Sequence, residues 1–216
     1  MGVSEIVGFV TGAVCVWLAV RQNIWTYPIG IVNNVAFAVL FLGSGLYAGA
    51  GLQVVYLGLA GLSWYWWVRG GSGHTPLPVR RTPAAGWVAA AVGVVAATVA
   101  LRVVLATWTD SPAPTADALT TALSLAAQLM MGRKWLGNWA VWIVADVIFV
   151  GLYASQGLWL TAALYAGFIG LCVQGARTWR RDLGATATAD PAESADQANP
   201  TDPADPTAAD AVPARA

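Results

Sequence analysis

Charge is scarce in this chain. Charged residues fill 10% of its 216 positions and balance to a formal net charge of zero, whereas an ordinary soluble domain carries about 25%. With no basic excess to meet a phosphate backbone, no nucleic acid is expected as a partner. Cysteine is nearly absent too. Cys15 and Cys172 both stand inside apolar runs, without CxxC or zinc-ligand spacing, and read as small buried hydrophobes. The single histidine, His74, sits in a Gly/Pro-rich loop. No GxxxxGK loop is present to cradle a nucleotide, which argues against a pump driven by ATP within this chain. GxSxG, HExxH and Ser/His/Asp arrangements are missing as well. The reading is therefore of a protein that is not an enzyme and needs no cofactor or metal.

What the chain has in abundance is apolar surface: 57% hydrophobic residues, with twelve tryptophans. Seven apolar runs cover roughly 3–20, 27–43, 49–68, 84–107, 116–132, 137–154 and 158–178. Crossing a bilayer takes about 20 apolar residues, within a range of about 17–25. Backbone groups in lipid must be satisfied internally, so the runs are expected to be helices. The first run carries Glu5 and no basic start, unlike a secretory signal. Seven crossings put Arg21, Arg69, Arg80, Arg81, Arg133, Lys134, Arg177, Arg180 and Arg181 on one side and Glu5, Asp110 and Asp117 on the other, with Arg102, toward the outer half of the fourth span, the exception within the membrane region. The positive-inside rule then places the amino terminus outside and the carboxyl terminus in the cytoplasm, in a multi-pass protein of the cell membrane. The Ala/Asp/Pro/Thr-rich stretch 182–216 is expected to be a disordered cytoplasmic tail.

The chain also matches itself at a shift of 112 residues without a gap. Arg21 falls on Arg133, Ile31-Val32 on Ile143-Val144, Val35, Phe37 and Leu40 on Val147, Phe149 and Leu152, Gly58-Leu59 on Gly170-Leu171, and Trp67 on Trp179. This predicts an all-α integral membrane protein built as 3+1+3: a first three-helix bundle (1–68), a connecting region with the fourth helix (69–115) and a second bundle (116–181). Four spans separate equivalent helices, so the bundles run parallel. In transporters built this way the substrate site lies near the midplane, between the repeats. Glycines 8, 12, 43, 45, 58 and 61 are expected at helix-packing contacts.

The shift pairs Asn34 with Asp146, Tyr27 with Trp139 and Gly30 with Trp142. Asp146 lies about 12 Å along its helix from Asn138, near mid-membrane. Even on the lenient insertion scale a carboxylate there costs about 2.5–3.5 kcal/mol, so it must face protein or water. Trp139, Trp142 and Asp146 share one helix face, at i, i+3 and i+7, and Tyr27, Gly30 and Asn34 form the matching face. Opposed, these faces would frame an aromatic-walled cavity holding an amide and an acid. Asn33, Gln53 and Gln128 are further intramembrane amides. Each residue also has a plainer use: Trp139 and Trp142 as interfacial belt residues, the amides as interhelical hydrogen-bonding groups, Asp146 as a bridge within the structure.

The stretches WLAVRQNIWTYPIGIVNNVAFAVLF, GLYAGAGLQVVYLGL and QLMMGRKWLGNWAVWIVADVIFVGLYASQGLWLTAALY resemble the two bundles of the PnuC family of nicotinamide riboside transporters, over roughly residues 3 to 180. The resemblance implies a fold related to the SWEET sugar transporters and a homo-oligomer, a trimer. It implies facilitated diffusion of nicotinamide riboside, a vitamin B3 precursor of NAD, which a cytoplasmic kinase then traps. Trp139 and Trp142 match the family's WxxW pattern; Ala140 stands where a proline is expected, with Pro28 in the matching position of the first bundle. A riboside carries a cationic pyridinium ring, which tryptophan faces attract and one carboxylate can balance. Trp139 and Trp142 would face the ring, Asp146 would balance its charge, Asn33, Asn34, Gln53 and Gln128 would bind ribose and carboxamide, and Tyr27 is a further candidate for substrate binding. Thiamine, riboflavin or a deoxynucleoside remain alternative cargoes, and proton symport through Asp146 an alternative mode.

Overall fold

Helices account for nearly all of the described chain. In the computed structural model, which describes residues 3–43, 47–108 and 113–196, seven α-helices follow one another: α1 (Val3–Val20), α2 (Thr26–Gly43), α3 (Tyr47–Arg69), α4 (Ala84–Trp108), α5 (Pro114–Gly132), α6 (Asn138–Ser155) and α7 (Trp159–Asp196), with a short 3₁₀ turn at Ser72–His74. They begin and end within two residues of the seven apolar runs, apart from the end of α7. The sequence reading ends the ordered chain near residue 181, whereas α7 continues to Asp196. Residues 197–216 of the expected disordered tail lie outside the described residues. Up to Leu183 the chain forms one compact unit.

Among the described residues, four helical stretches are long and apolar enough to cross a membrane: Thr26–Gly43, Ala84–Trp108, Asn138–Ser155 and Trp159–Gly184. The α4 segment is the most apolar, and none of its most apolar 18-residue stretch is buried within the protein. Val88, Val92, Val95, Val99 and Val103 all project outward from it. Water would penalise such a coat heavily, whereas lipid does not.

The helix boundaries repeat at the sequence shift. Adding 112 to α2 gives the bounds of α6, and adding it to the start of α3 or the end of α1 gives the start of α7 or the end of α5. Helix α2 packs along both α1 and α3, α5 along both α4 and α6, and α3 against α5.

The halves lock together through two tryptophans at equivalent positions. The Trp67 indole N–H donates to the Met131 carbonyl at 3.1 Å, and that of Trp179 donates to the Ala19 carbonyl at 3.2 Å. The two acceptors are equivalent as well. The rings lie 6.0 Å apart, at the centre of a buried cluster with Val20, Tyr27, Val79 and Trp139. The loop before α4 covers the same end. Arg80 forms a single bridge to Trp135, its N–H donating to the Lys134 carbonyl at 3.0 Å and its carbonyl accepting from Leu136 at 2.9 Å. Leu77 and Val79 of this loop are buried.

Of the glycines expected at packing contacts, the four whose surroundings are described meet no neighbouring helix. A Cβ at Gly12, Gly43, Gly58 or Gly61 would meet nothing within 4 Å; Gly45 and the surroundings of Gly8 lie outside the described residues. Close approaches occur instead at Gly86, Gly132, Gly137 and Gly175.

Candidate functional site

A cavity of about 380 Å³ lies between the two halves. Seven of the eight residues singled out from sequence line it: Tyr27, Asn33 and Asn34 of α2, Gln128 of α5, and Trp139, Trp142 and Asp146 of α6. Gln53 does not. Its side-chain oxygen is buried without a hydrogen-bond partner, and the equivalent residue of the second half, Tyr165, lines the cavity in its place.

The lining follows the repeat. Val16 and Gln128, Ala19 and Met131, Tyr27 and Trp139, Gly30 and Trp142, Asn34 and Asp146, Tyr56 and Phe168, and Ala60 and Cys172 are equivalent pairs, and both members of each line the cavity. The cavity is therefore centred where the two halves face one another. Sequence reasoning missed Tyr56, Phe168, Tyr165, Phe149, Ser124 and both cysteines. The shift itself held the signal for several of them, since it pairs Tyr56 with Phe168 and Ala60 with Cys172.

At the end of the cavity nearer the arginine-rich loops, Tyr27 meets Trp67 edge to face at 5.0 Å and 88°, and Trp139 meets Trp179 at 5.3 Å and 85°. With the Trp67–Trp179 contact this makes a continuous aromatic floor. Trp139 is 1% exposed, so it is not a membrane-belt residue. The α6–α7 wall is aromatic too: Phe149 and Tyr165 lie 4.7 Å apart, and Tyr153 stacks on Tyr165 at 5.3 Å.

Asp146 is 4% exposed, and its Oδ2 accepts a long hydrogen bond of 3.7 Å from the Cys172 thiol. Among the described lining residues it is the only carboxylate, and none is Lys, Arg or His. A buried anion facing neutral walls favours a cation entering the cavity. Amides and hydroxyls around it (Asn33, Asn34, Gln128, Ser124, Tyr56) can hydrogen-bond a polar ligand. No group of three or more His, Cys, Asp or Glu is placed to hold a metal among the described residues.

Ala140 leaves the start of α6 unchanged. Its N–H, which proline would lack, bonds the Gly137 carbonyl at 3.1 Å. First-turn donors have no obligatory helical partner, and α2 with Pro28 has the same bounds after the shift.

Comparison with known proteins places these features in context. A family model described as nicotinamide mononucleotide transporter matches residues 2–181. The chain is 28% identical to the nicotinamide riboside transporter PnuC of Escherichia coli, covering 81% of this chain and 84% of that protein. It is 27% identical to the riboflavin/roseoflavin transporter RibM of Streptomyces davaonensis, covering 88% and 92%. The crystal structure of the vitamin B3 transporter PnuC matches with a TM-score of 0.61 at 23% identity, over 81% of this chain and 79% of that one.

Proposed function

Because this chain belongs to the nicotinamide mononucleotide transporter family, and so is a multi-pass membrane transporter and not an enzyme, we propose that it carries nicotinamide riboside into the cytoplasm by facilitated diffusion. In this reading all seven helices cross the bilayer as 3+1+3 parallel repeats of SWEET-like arrangement. The amino terminus lies outside and the arginine-rich loops lie in the cytoplasm. Trp139, Trp142 and Tyr27 face the pyridinium ring, Asp146 balances its charge, and Asn33, Asn34 and Gln128 bind the ribose and carboxamide. A trimer of such chains and a cytoplasmic riboside kinase that traps the product complete the scheme.

The observation that carries this reading is the buried carboxylate of Asp146, the only one among the described lining residues, in a cavity whose other walls are uncharged. A permanently cationic ring supplies the charge that the protein leaves unbalanced there. Cavity size supports it as well: about 380 Å³ is near the lower end of small-molecule sites, which run from about 300 to 1,000 Å³.

A second reading takes riboflavin as cargo, favoured by the similarity to RibM over 88% of the chain. A neutral three-ring flavin is wider and leaves Asp146 without a counter-charge, so the riboside ranks first. The deciding experiment is uptake of labelled nicotinamide riboside into proteoliposomes without an ion gradient, with riboflavin and thiamine as competitors. Uptake that stops at equilibrium, and that excess riboside alone suppresses, supports the proposal. No uptake, or uptake only with an imposed proton gradient, refutes uniport of this cargo.

A further inference from the structure

Glycine inside a helix weakens it relative to alanine, so a crowded helical glycine needs an account. In α7, Gly167 and Gly170 have open space around them. Gly175 does not: a Cβ there would come within 2.6 Å of three atoms of the Trp139 indole, Cε2, Cζ2 and Cη2. The ring thus lies against bare backbone of α7, and it is 1% exposed. Another side of the ring is held by the edge of Trp179 at 5.3 Å. The same ring lines the cavity.

The first half of the chain solves the same packing problem differently. The residue equivalent to Trp139 is Tyr27, and the residue equivalent to Gly175 is Ser63. The Tyr27 and Ser63 hydroxyls face each other, both buried, without a closed hydrogen bond. A smaller ring thus goes with a residue that has a side chain, and a larger ring with one that has none. The two halves otherwise match closely here: Tyr27 meets Trp67 edge-on at 5.0 Å, as Trp139 meets Trp179. The exchange makes the cavity floor asymmetric, placing an indole on the Asp146 side and a phenol on the Asn34 side.

From this we propose that Gly175 is a positioning residue for Trp139, and that the Trp139–Gly175 pair, standing where the first half has Tyr27–Ser63, sets the preference for a cationic ring. This rests on the cavity being the riboside site. Any side chain at position 175 pushes the indole toward the cavity, displacing the surface that a pyridinium would contact. Gly175 touches no substrate itself and acts through the ring.

The test compares Gly175→Ala, Gly175→Ser, Trp139→Tyr and the double variant Gly175→Ser/Trp139→Tyr as purified full-length protein. Binding is measured for nicotinamide riboside and for its neutral reduced form. Gly175→Ala is expected to weaken the cationic riboside about tenfold, the scale of a desolvated cation–π contact, and to affect the neutral analogue several-fold less. In thermal melts without ligand, Gly175→Ser is expected to lower the midpoint, and adding Trp139→Tyr to recover most of the loss by rebuilding the first half's pair. The recovered protein should keep only the charge preference that Asp146 supplies, so its preference for the cationic form falls about tenfold from that of wild type. Wild-type affinity and charge preference in Gly175→Ala overturn the proposal, as does a double variant that melts no higher than Gly175→Ser. The melts need no ligand, so they separate failure of this packing relation from failure of the riboside assignment, in which case wild type itself binds neither compound.

Discussion

Lys134 and Gln22 stand 112 positions apart and hydrogen-bond each other, the Lys134 Nζ donating to the Gln22 Oε1 at 3.1 Å. They are equivalent residues of the two halves, each just past the end of its helix with a left-handed backbone, φ 51° at Gln22 and 50° at Lys134. The Gln22 amide also donates to Asp182 Oδ2 at 2.6 Å, while the Lys134 ammonium lies 4.5 Å over the Trp67 ring. One amide therefore joins an ammonium and a carboxylate beside the aromatic floor. Gln22→Ala removes both contacts and leaves two charged groups less well satisfied. The expected cost is about 1–3 kcal/mol, read as a lower melting midpoint in micelles. An unchanged midpoint would mean that this latch does not hold the halves together.

The same lysine gives a pH signature. Burial pushes its ammonium down to about 8 from the ordinary 10.5, with the Asp182 carboxylate pulling the other way. Below pH 8 the amine is protonated both folded and unfolded, and the folded state bears the desolvation cost. Between about 8 and 10.5 the unfolded chain holds more protons, so this group makes stability rise with pH, by up to about 1.4 kcal/mol per unit. Melting curves from pH 7.5 to 10 should show that contribution in wild type and lose it in Lys134→Met. Identical pH profiles for the two proteins would be evidence against a titration in this window.

Asp146→Asn keeps the shape of the cavity and removes its one carboxylate. If the acid balances a cationic ring, binding of nicotinamide riboside weakens about tenfold or more, while the neutral reduced riboside changes little. Isothermal titration of both ligands with both proteins makes the comparison. Equal losses for the two would assign Asp146 to hydrogen bonding or to architecture, and not to charge balance.

Much of this was legible in the sequence for simple reasons. Apolar runs of membrane length fix helix positions, because helices satisfy the backbone within themselves; hence α2 and α6 fall where the runs do. The repeat brought Asn34 and Asp146 to one place. The sequence could not rank Gln53 against Tyr165, since equivalent positions need not face the same way once neighbouring side chains differ. It also misjudged the glycines. Gly12 and Gly58 fit a packing pattern by spacing, yet spacing does not say whether a face meets protein or lipid. Gly175 gave no such signal, because its role depends on a ring brought against it from another helix.

The two crossing tryptophans yield a prediction that tests the symmetry directly. Trp67 and Trp179 each donate to a carbonyl of the opposite half, at 3.1 and 3.2 Å, and their rings touch. Replacing either by phenylalanine removes one hydrogen bond, worth about 0.5–1.5 kcal/mol, and part of a buried ring. Trp67→Phe and Trp179→Phe are therefore expected to lower the melting midpoint by similar amounts. Because the rings share a contact, the double variant should depart from the sum of the singles by about 0.5 kcal/mol or more. Strict additivity would leave the rings energetically independent. A large effect from one replacement beside none from the other would show that the halves, though matched in sequence and geometry, do not carry equal weight in closing the floor of the cavity.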